Sequence, residues 1–295
     1  MVKPETSVES CRFSGAEVDY PRRIVCLTDE TTETLYMLGE EARIVGVSGF
    51  STRPPEVRNK PRISSFRDAN VDAVIALKPD LVLTFSDVQA EITKQLVLQG
   101  LNVLNFNQRS VSGILEMIAV LSRIVEKARE GEAIIQILRS GLAEIAALAE
   151  RFPRRPTVYF EEWHDPLISG IGWVDELIEI AGGTVIFPEL RVCAKSKDRV
   201  VDSLEVVRRN PEVIFASWCG MKVNFDEMLS RPGWDSIRGL RDGNFFEVPS
   251  SIILQPGPAA LTDGVRFLHA KLVQVAGVRD AGAMDHTPKG ITPLL

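Results

Sequence analysis

The chain has 295 residues, 45% hydrophobic and 25% charged, with a formal net charge of -6. That is the make-up of an ordinary globular protein with room for two domains of roughly 100 to 150 residues each. The acidic balance leaves no broad basic surface for phosphate backbones or anionic membranes, so no nucleic-acid partner is expected.

Met1 to Tyr20 carries Lys3, Glu5, Glu9, Arg12, Glu17 and Asp19 without an apolar run, so no secretory signal is read there. Cys11 follows no hydrophobic stretch of the kind that precedes a lipid anchor, and no segment reaches the ~18 to 20 apolar residues a membrane span needs. Cys11, Cys26, Cys193 and Cys219 lack CxxC spacing, which argues against a zinc site or a disulfide framework.

Arg23 to Thr28 reads as a short strand, and Asp29 as the cap of a helix whose buried stripe is Thr31, Leu35 and Leu38 before Gly39. Ile44 to Val47 is a second strand, followed by a loop at Pro54 and Pro55. Helix Val71 to Leu77 runs into Pro79, then come strand Leu81 to Phe85, helix Gln89 to Gln99 and strand Asn102 to Phe106. Strands alternating with helices through short connections predict a parallel sheet covered on both faces. Residues 112–150 are helical in pattern throughout. One stripe is Ile114, Met117, Ile118, Leu121, Ile124 and Val125; a second is Ile134, Leu138, Leu142, Ile145 and Leu148, beyond the polar stretch Lys127 to Glu132. Read as one helix of about 22 residues, the second piece spans roughly 33 Å, enough to bridge two lobes.

A second α/β pattern then begins, with strand Thr157 to Phe160, helix Trp173 to Ala181, strand Thr184 to Phe187, helix Ser203 to Asn210, strands Val213 to Ala216 and Phe245 to Val248, and helix Pro258 to Val275. The expected divisions are an amino-terminal lobe over 22–127, an interlobe helix over 128–151, a carboxyl-terminal lobe over 155–277, and loose tails at 1–21 and 278–295. A weak internal repeat supports two related lobes: Asn70 to Val74 reaching Pro79 to Leu83, and Ser203 to Val207 reaching Pro211 to Phe215.

The most informative block is Glu161-Glu162-Trp163-His164-Asp165-Pro166 through Gly170-Ile171-Gly172-Trp173 to Gly182-Gly183. It sets carboxylates, an indole and glycines at the carboxyl end of a strand, where open α/β sheets place ligands. No nucleophile-base-orienter set accompanies it; Gly-x-Ser-x-Gly, a P-loop and HExxH are absent, and Gly170-Ile171-Gly172 lacks the third glycine of a dinucleotide fingerprint. The reading is a binding protein and not an enzyme, with no cofactor of its own. His164 is open to two roles, a metal ligand or an ordinary hydrogen-bonded loop histidine. His269 falls within a helix and His286 in the tail, so no metal cage is expected.

This block resembles the signature of ABC-transporter substrate-binding proteins of the helical-backbone class, which take up cobalamin and ferric siderophores. Arg23 to Ser48, Ala76 to Leu83, Arg231-Pro232-Gly233-Trp234 and Pro256-Gly257-Pro258 match the class in order and spacing, so the resemblance covers residues 23 to about 275. It implies an α/β fold of two Rossmann-like lobes with parallel central sheets joined by a single long backbone helix, a ligand between the lobes, and only small closure on binding. The Glu-x-Trp-x-Asp-Pro block and Trp218-Cys219-Gly220 look most like cobalamin-binding members, which makes a corrinoid the expected ligand; a ferric siderophore held through Arg67, Arg191 or Lys195, or haem, is the alternative. A cytosolic ligand sensor reusing the fold is a further one, since no export signal is visible.

The resemblance and the strand ends together give Asp29, Phe50, Phe66, Arg67, Ser86, Asp87, Glu162, Trp163, Trp173, Trp218 and Ile252 as ligand-facing candidates. Phe50 and Phe66 align with aromatic wall positions, and their other reading is core packing. Asp72 and Glu205 match the acidic positions that contact a permease, one per lobe, and both also fit the start of a helix, where a carboxylate is favoured. The expected partners are a small-molecule ligand and an ABC permease, with the protein acting as a monomer.

Overall fold

The computed structural model describes residues 21–64 and 70–277. The expectations for Phe66, Arg67, Cys11, His286 and the two tails fall outside these residues.

The first half contains β1 (Ile24–Cys26), α1 (Asp29–Met37), β2 (Ile44–Ser48), β3 (Arg62–Ser64), α2 (Val71–Ala76), β4 (Leu81–Phe85), α3 (Ala90–Leu98) and β5 (Val103–Phe106). Its strands pair in parallel in the order β3-β2-β1-β4-β5. Successive strands step to one side of β1 and then to the other, so the sheet has a switch point between β1 and β4, where such folds open a crevice. The strand β3 was not anticipated; three residues led by Arg62 carry no alternation to read. Asp29 is not the cap of α1. Thr28 occupies that position without a side-chain cap bond, and Asp29 lies in the first turn.

The helices α4 (Val111–Ile124) and α5 (Ala128–Ala149) then pack side by side. A Cβ on Gly131 would lie 2.2 Å from Ser122 Oγ, so this contact needs glycine. The stripe at Ile134, Leu138, Leu142 and Ile145 is buried, and α5 also packs on two helices of the second half, α6 (Gly172–Ile180) and α11 (Val265–Ala276). At 22 residues α5 is the continuous rod expected from its periodicity.

The second half contains β6 (Thr157–His164), β7 (Leu167–Ser169), then α6, β8 (Thr184–Val185), α7 (Ser203–Arg209), β9 (Val213–Ala216), α8 (Phe225–Leu229), α9 (Arg238–Arg241), β10 (Phe245–Glu247), α10 (Ser250–Ile253) and α11 (Val265–Ala276). The strands run β10-β9-β6-β7, with β8 also on β6. All pairings are parallel except β6 with β7, a hairpin that adds one antiparallel edge strand. The switch point here is between β6 and β9. The repeat anticipated from sequence is visible as α2 and α7, capped by Asn70 and Asp202, each leading through a proline into the strand beside β1 or β6. The final helix starts as a π-helical segment, Ala260–Gly264.

One hydrophobic core runs through both halves, from Ile24 and Leu83 through Leu115, Ile135 and Leu142 to Trp173, Phe215 and Leu268. The molecule is thus two parallel-sheet α/β lobes joined by one backbone helix.

Candidate functional site

The carboxyl ends of both sheets meet along one seam. Its floor is built where the start of α1 meets residues 256–263. A Cβ on Gly257 would lie 2.5 Å from Glu30 Cβ, so glycine allows the two backbones to touch. Gln108 Nε2 donates to the Pro256 carbonyl at 3.0 Å, and the Ala259 N–H donates to Glu33 Oε2 at 3.0 Å. Arg53 bridges Glu33 at 3.1 Å and Asp263 at 2.7 Å, so a guanidinium of one lobe ties down a carboxylate of the other.

At one end of the seam stands Phe50, on the loop after β2. The loop is pinned on three sides: the Gly49 N–H donates to the Ser64 carbonyl at 2.7 Å, the Phe50 N–H to Ser48 Oγ at 3.2 Å, and Ser51 Oγ to Asp29 Oδ1 at 2.8 Å. Phe50 is 46% exposed, and its Cε1 lies 3.9 Å from where a Cβ on Gly220 would stand, in the turn after β9 of the other lobe.

The other end lies beyond β5, three strand spacings from β2, or about 14 Å. Arg109 pairs there with Asp87 at 3.0 Å and stacks over the Phe85 ring at 5.1 Å. Its carbonyl would be 2.4 Å from a Cβ on Gly172, and the Val111 N–H donates to Glu176 at 2.7 Å, so this end also joins the lobes. Facing Arg109 are Glu162 and Arg199, paired at 2.6 Å, and the buried Asp175 lies in turn within the influence of Arg199 and Arg191.

Between the ends lies Ser86, at the switch point, buried and held at φ 58° and ψ -176°. A side-chain-bearing residue adopts this conformation only under constraint. The constraints are its N–H bond to the Phe106 carbonyl at 2.7 Å and the Val88 N–H on its Oγ at 3.2 Å. Gln89 ties the neighbouring strand ends together, accepting from the Phe85 N–H at 2.9 Å and donating to the Leu27 carbonyl at 3.1 Å.

The opposite wall carries Trp163, partly buried, with its indole N–H on the Asp165 carbonyl at 2.9 Å. His164 stacks on Trp218 at 4.3 Å, and its Nδ1 is 2.7 Å from Glu227 Oε1. Beneath them Glu161 is fully buried, accepting from Trp218 Nε1 at 3.1 Å and from Arg231 Nη1 at 2.6 Å. Burial pushes its carboxyl up, and the Arg231 bonds pull against that.

Of the residues anticipated from sequence, Asp29, Phe50, Ser86, Asp87, Glu162, Trp163 and the partly buried Ile252 stand at the strand or helix ends along the seam. Trp173 and Trp218 do not offer ring faces to it. Both are buried, and Trp173 spends its indole N–H on the Ile253 carbonyl at 2.9 Å. Arg191 is paired with Glu179. Sequence reasoning missed Glu30, Arg109, Asp175 and Arg199. Asp175 lay inside the informative block, but nothing local marks Arg199, on a short 3-10 turn. Burial raises the carboxyls of Glu33 and Glu161 here, and lifts Asp29 to about 6 and Glu30 and Asp175 each to about 8. Among the described residues no group of three or more His, Cys, Asp or Glu side chains is placed to hold a metal ion.

Asp72 is exposed in the first turn of α2. Glu205, in the first turn of α7, bonds Arg208 Nε at 2.6 Å and Arg209 Nε at 2.7 Å, and these guanidiniums, Arg208 first, hold its carboxyl down at about 2. The cap of α7 is Asp202, accepting from the Leu204 N–H at 2.7 Å.

The family model described as periplasmic binding protein matches residues 24–252. An ABC transporter substrate-binding lipoprotein of Bacillus subtilis, YvrC, is 26% identical over 257 residues, covering 84% of this chain and 79% of the relative. The cobalamin-binding protein of Halobacterium salinarum is 25% identical over 257 residues, covering 85% and 69%. Among solved structures, the haem-binding protein RhuT of Roseiflexus sp. RS-1 superposes with a TM-score of 0.75 at 22% identity, over 86% of this chain and 99% of that one. With the model spanning most of its length, the chain belongs to the periplasmic binding protein family, a binding and not a catalytic class, as a solute-binding protein of the ABC import type.

Proposed function

We propose that the chain captures a cobalamin-like corrinoid in the seam between its lobes and presents it to an ABC permease. The observation that carries this reading is the placement of Phe50 past β2 and of the Arg109 group past β5, strands three places apart in the sheet, or about 14 Å at ordinary strand spacing. A corrinoid is a flat, largely apolar disc fringed with amides, and it needs aromatic contact and scattered hydrogen-bonding groups on that scale. The name of the Halobacterium relative supports the same ligand. Asp72 and Glu205, one on each lobe, serve as the two-point dock, where charge complementarity sets orientation and encounter rate more than affinity.

A haem is the second reading, favoured by His164. A carboxylate on one imidazole nitrogen, as Glu227 is on Nδ1, orients the ring as in many metal-ligating histidines. Parallel absorbance and calorimetric titrations with cyanocobalamin and hemin separate the two. The corrinoid reading expects saturable one-to-one binding of cyanocobalamin at micromolar concentration or below. It fails if cyanocobalamin does not saturate while hemin does, with a spectrum that His164→Ala alters.

A further inference from the structure

At the Arg109 end of the seam, four side chains carry buried polar atoms that find no partner: Arg109 Nε, Arg191 Nε, Arg199 Nε and Asp175 Oδ2. Two of these residues are almost completely enclosed, Arg199 at 1% and Asp175 at 2% exposure. The segment Ser169–Gly172 touches the side chains of Arg199 and Asp175 and the backbone at Arg109 and Arg191. Arg199 Nη1 donates to the Ser169 carbonyl, and a Cβ on Gly170 would lie 2.6 Å from Asp175 Oδ1. A Cβ on Gly172 would meet the carbonyls of Arg109 at 2.4 Å and of Arg191 at 3.2 Å. Unmatched buried polar groups are costly, and these three donors and one carboxyl oxygen act on one another where the lobes meet, Arg109 on Arg199 and Asp175 on Arg191 and Arg199, so together they call for a group that completes them.

The charges say what kind of group. Each guanidinium already has a carboxylate: Arg199 with Glu162 at 2.6 Å, Arg109 with Asp87 at 3.0 Å, and Arg191 with Glu179 at 2.5 Å. What remains is hydrogen-bonding capacity with no net charge to spare. Burial raises the Asp175 carboxyl to about 8, so at neutral pH it is mostly protonated and adds no negative charge. Three N–H donors and one carboxyl fit a neutral group with an oxygen to accept and an N–H to give.

We propose that Arg109, Arg191, Arg199 and Asp175 form a subsite for a carboxamide arm of the bound ligand, enclosed where the two lobes meet. The proposal rests on the corrinoid reading, which supplies a ring fringed with carboxamides, and it specifies which end of the seam takes one of them.

The test follows the arginine Nε–H signals in ¹H–¹⁵N spectra of the intact protein, assigned with Arg109→Met and Arg199→Lys, while cyanocobalamin, acetamide or acetate is added. Saturating cyanocobalamin is expected to shift the Arg109 and Arg199 signals, and acetamide alone to shift the same ones more than acetate does. Arg109→Met, a change at a part-exposed residue, and Asp175→Asn are each expected to alter the acetamide response, and Arg109→Met to weaken cyanocobalamin about tenfold. Should cyanocobalamin fail to bind while acetamide still moves these signals, the corrinoid reading falls and the subsite stands. Signals that stay fixed under bound cyanocobalamin, or under acetamide when no corrinoid binds, leave only trapped water at this end and overturn the subsite. A stronger response to acetate than to acetamide overturns the carboxamide assignment.

Discussion

Glu30 offers a direct test of how the floor of the seam is built. Its side chain is 1% exposed, it touches the backbone of the facing lobe at Gly257, and its Oε1 has no hydrogen-bond partner. Burial raises its carboxyl from 4.5 to about 8. A folded-state value above the unfolded one means that the folded protein holds a proton which the unfolded chain releases. The stabilising contribution is therefore complete below pH 4.5 and is lost as pH rises toward 8. At pH 7 the gap from 4.5 is 2.5 units, and at 1.36 kcal/mol per unit protonation costs about 3 kcal/mol.

Glu30→Gln removes that cost without changing the shape, because an amide keeps a carbonyl acceptor and supplies the donors of a protonated acid. The variant is expected to be more stable than the parent by about 3 kcal/mol at pH 7 and nearly equal to it at pH 4. Urea denaturation at both pH values, with equal m-values for the two proteins, measures the difference. Asp29 and Asp175 titrate in the same direction and cancel in the comparison. A variant no more stable than the parent at pH 7, or equally stabilised at both pH values, refutes the placement of a buried, neutral acid in the floor.

Three other outcomes follow. Arg53→Met leaves Glu33 and Asp263 without their shared cation and is expected to cost about 2 kcal/mol at pH 7; since burial already raises the Glu33 carboxyl, the loss shrinks in urea melts at acidic pH as that group takes up a proton. Phe50→Ala removes a ring that is 46% exposed in the protein alone, so stability should change by under about 0.5 kcal/mol while cyanocobalamin affinity in calorimetry falls about tenfold. Asp72→Asn is expected to reduce permease-coupled uptake in reconstituted vesicles more than Glu205→Gln does, because Glu205 is already neutralised by Arg208 and Arg209; equal effects would count against unequal docking points.

Where the fold rests on local pattern, the sequence carries it. The apolar runs at β4 and β9 mark both strands to the residue, and of the stripe read on α5, Ile134, Leu138, Leu142 and Ile145 are buried, while Leu148 is only partly so and Gly131, Ile135 and Ala149 complete the face. The reading stops where partners come from far along the chain. Glu161 and Glu162 look like the end of a strand, yet β6 continues through both, since Arg231 and Arg199 arrive from 70 and 37 residues away to pair with them. Trp173 and Trp163 are the same residue type at neighbouring strand and helix ends. One is buried because the Ile253 carbonyl meets its indole; the other remains at the surface of its lobe. No spacing rule separates them. Arg109 and Arg199 escape for the same reason: an arginine in a loop reads as solvated until partners distant in sequence, Asp87 for one and Glu162 and Ser169 for the other, are seen to meet it.

The two ties between the lobes decide how the seam can open. The rod α5 packs on both halves and shares their continuous core, so bending it would strip apolar contacts on either side. The floor adds Gln108 on Pro256, Glu33 on Ala259 and Arg53 on Asp263, three bonds to one short segment of the second lobe. The Phe50 rim is joined more weakly: Phe50 meets Gly220 only by van der Waals approach and is nearly half exposed. At the Arg109 rim, each arginine finds its carboxylate within its own lobe, so those ion pairs survive separation, leaving the Val111 to Glu176 bond as the polar contact to break. Movement that admits a ligand therefore costs least when the rims part about a fixed floor, which accounts in physical terms for the small closure that the family resemblance implies.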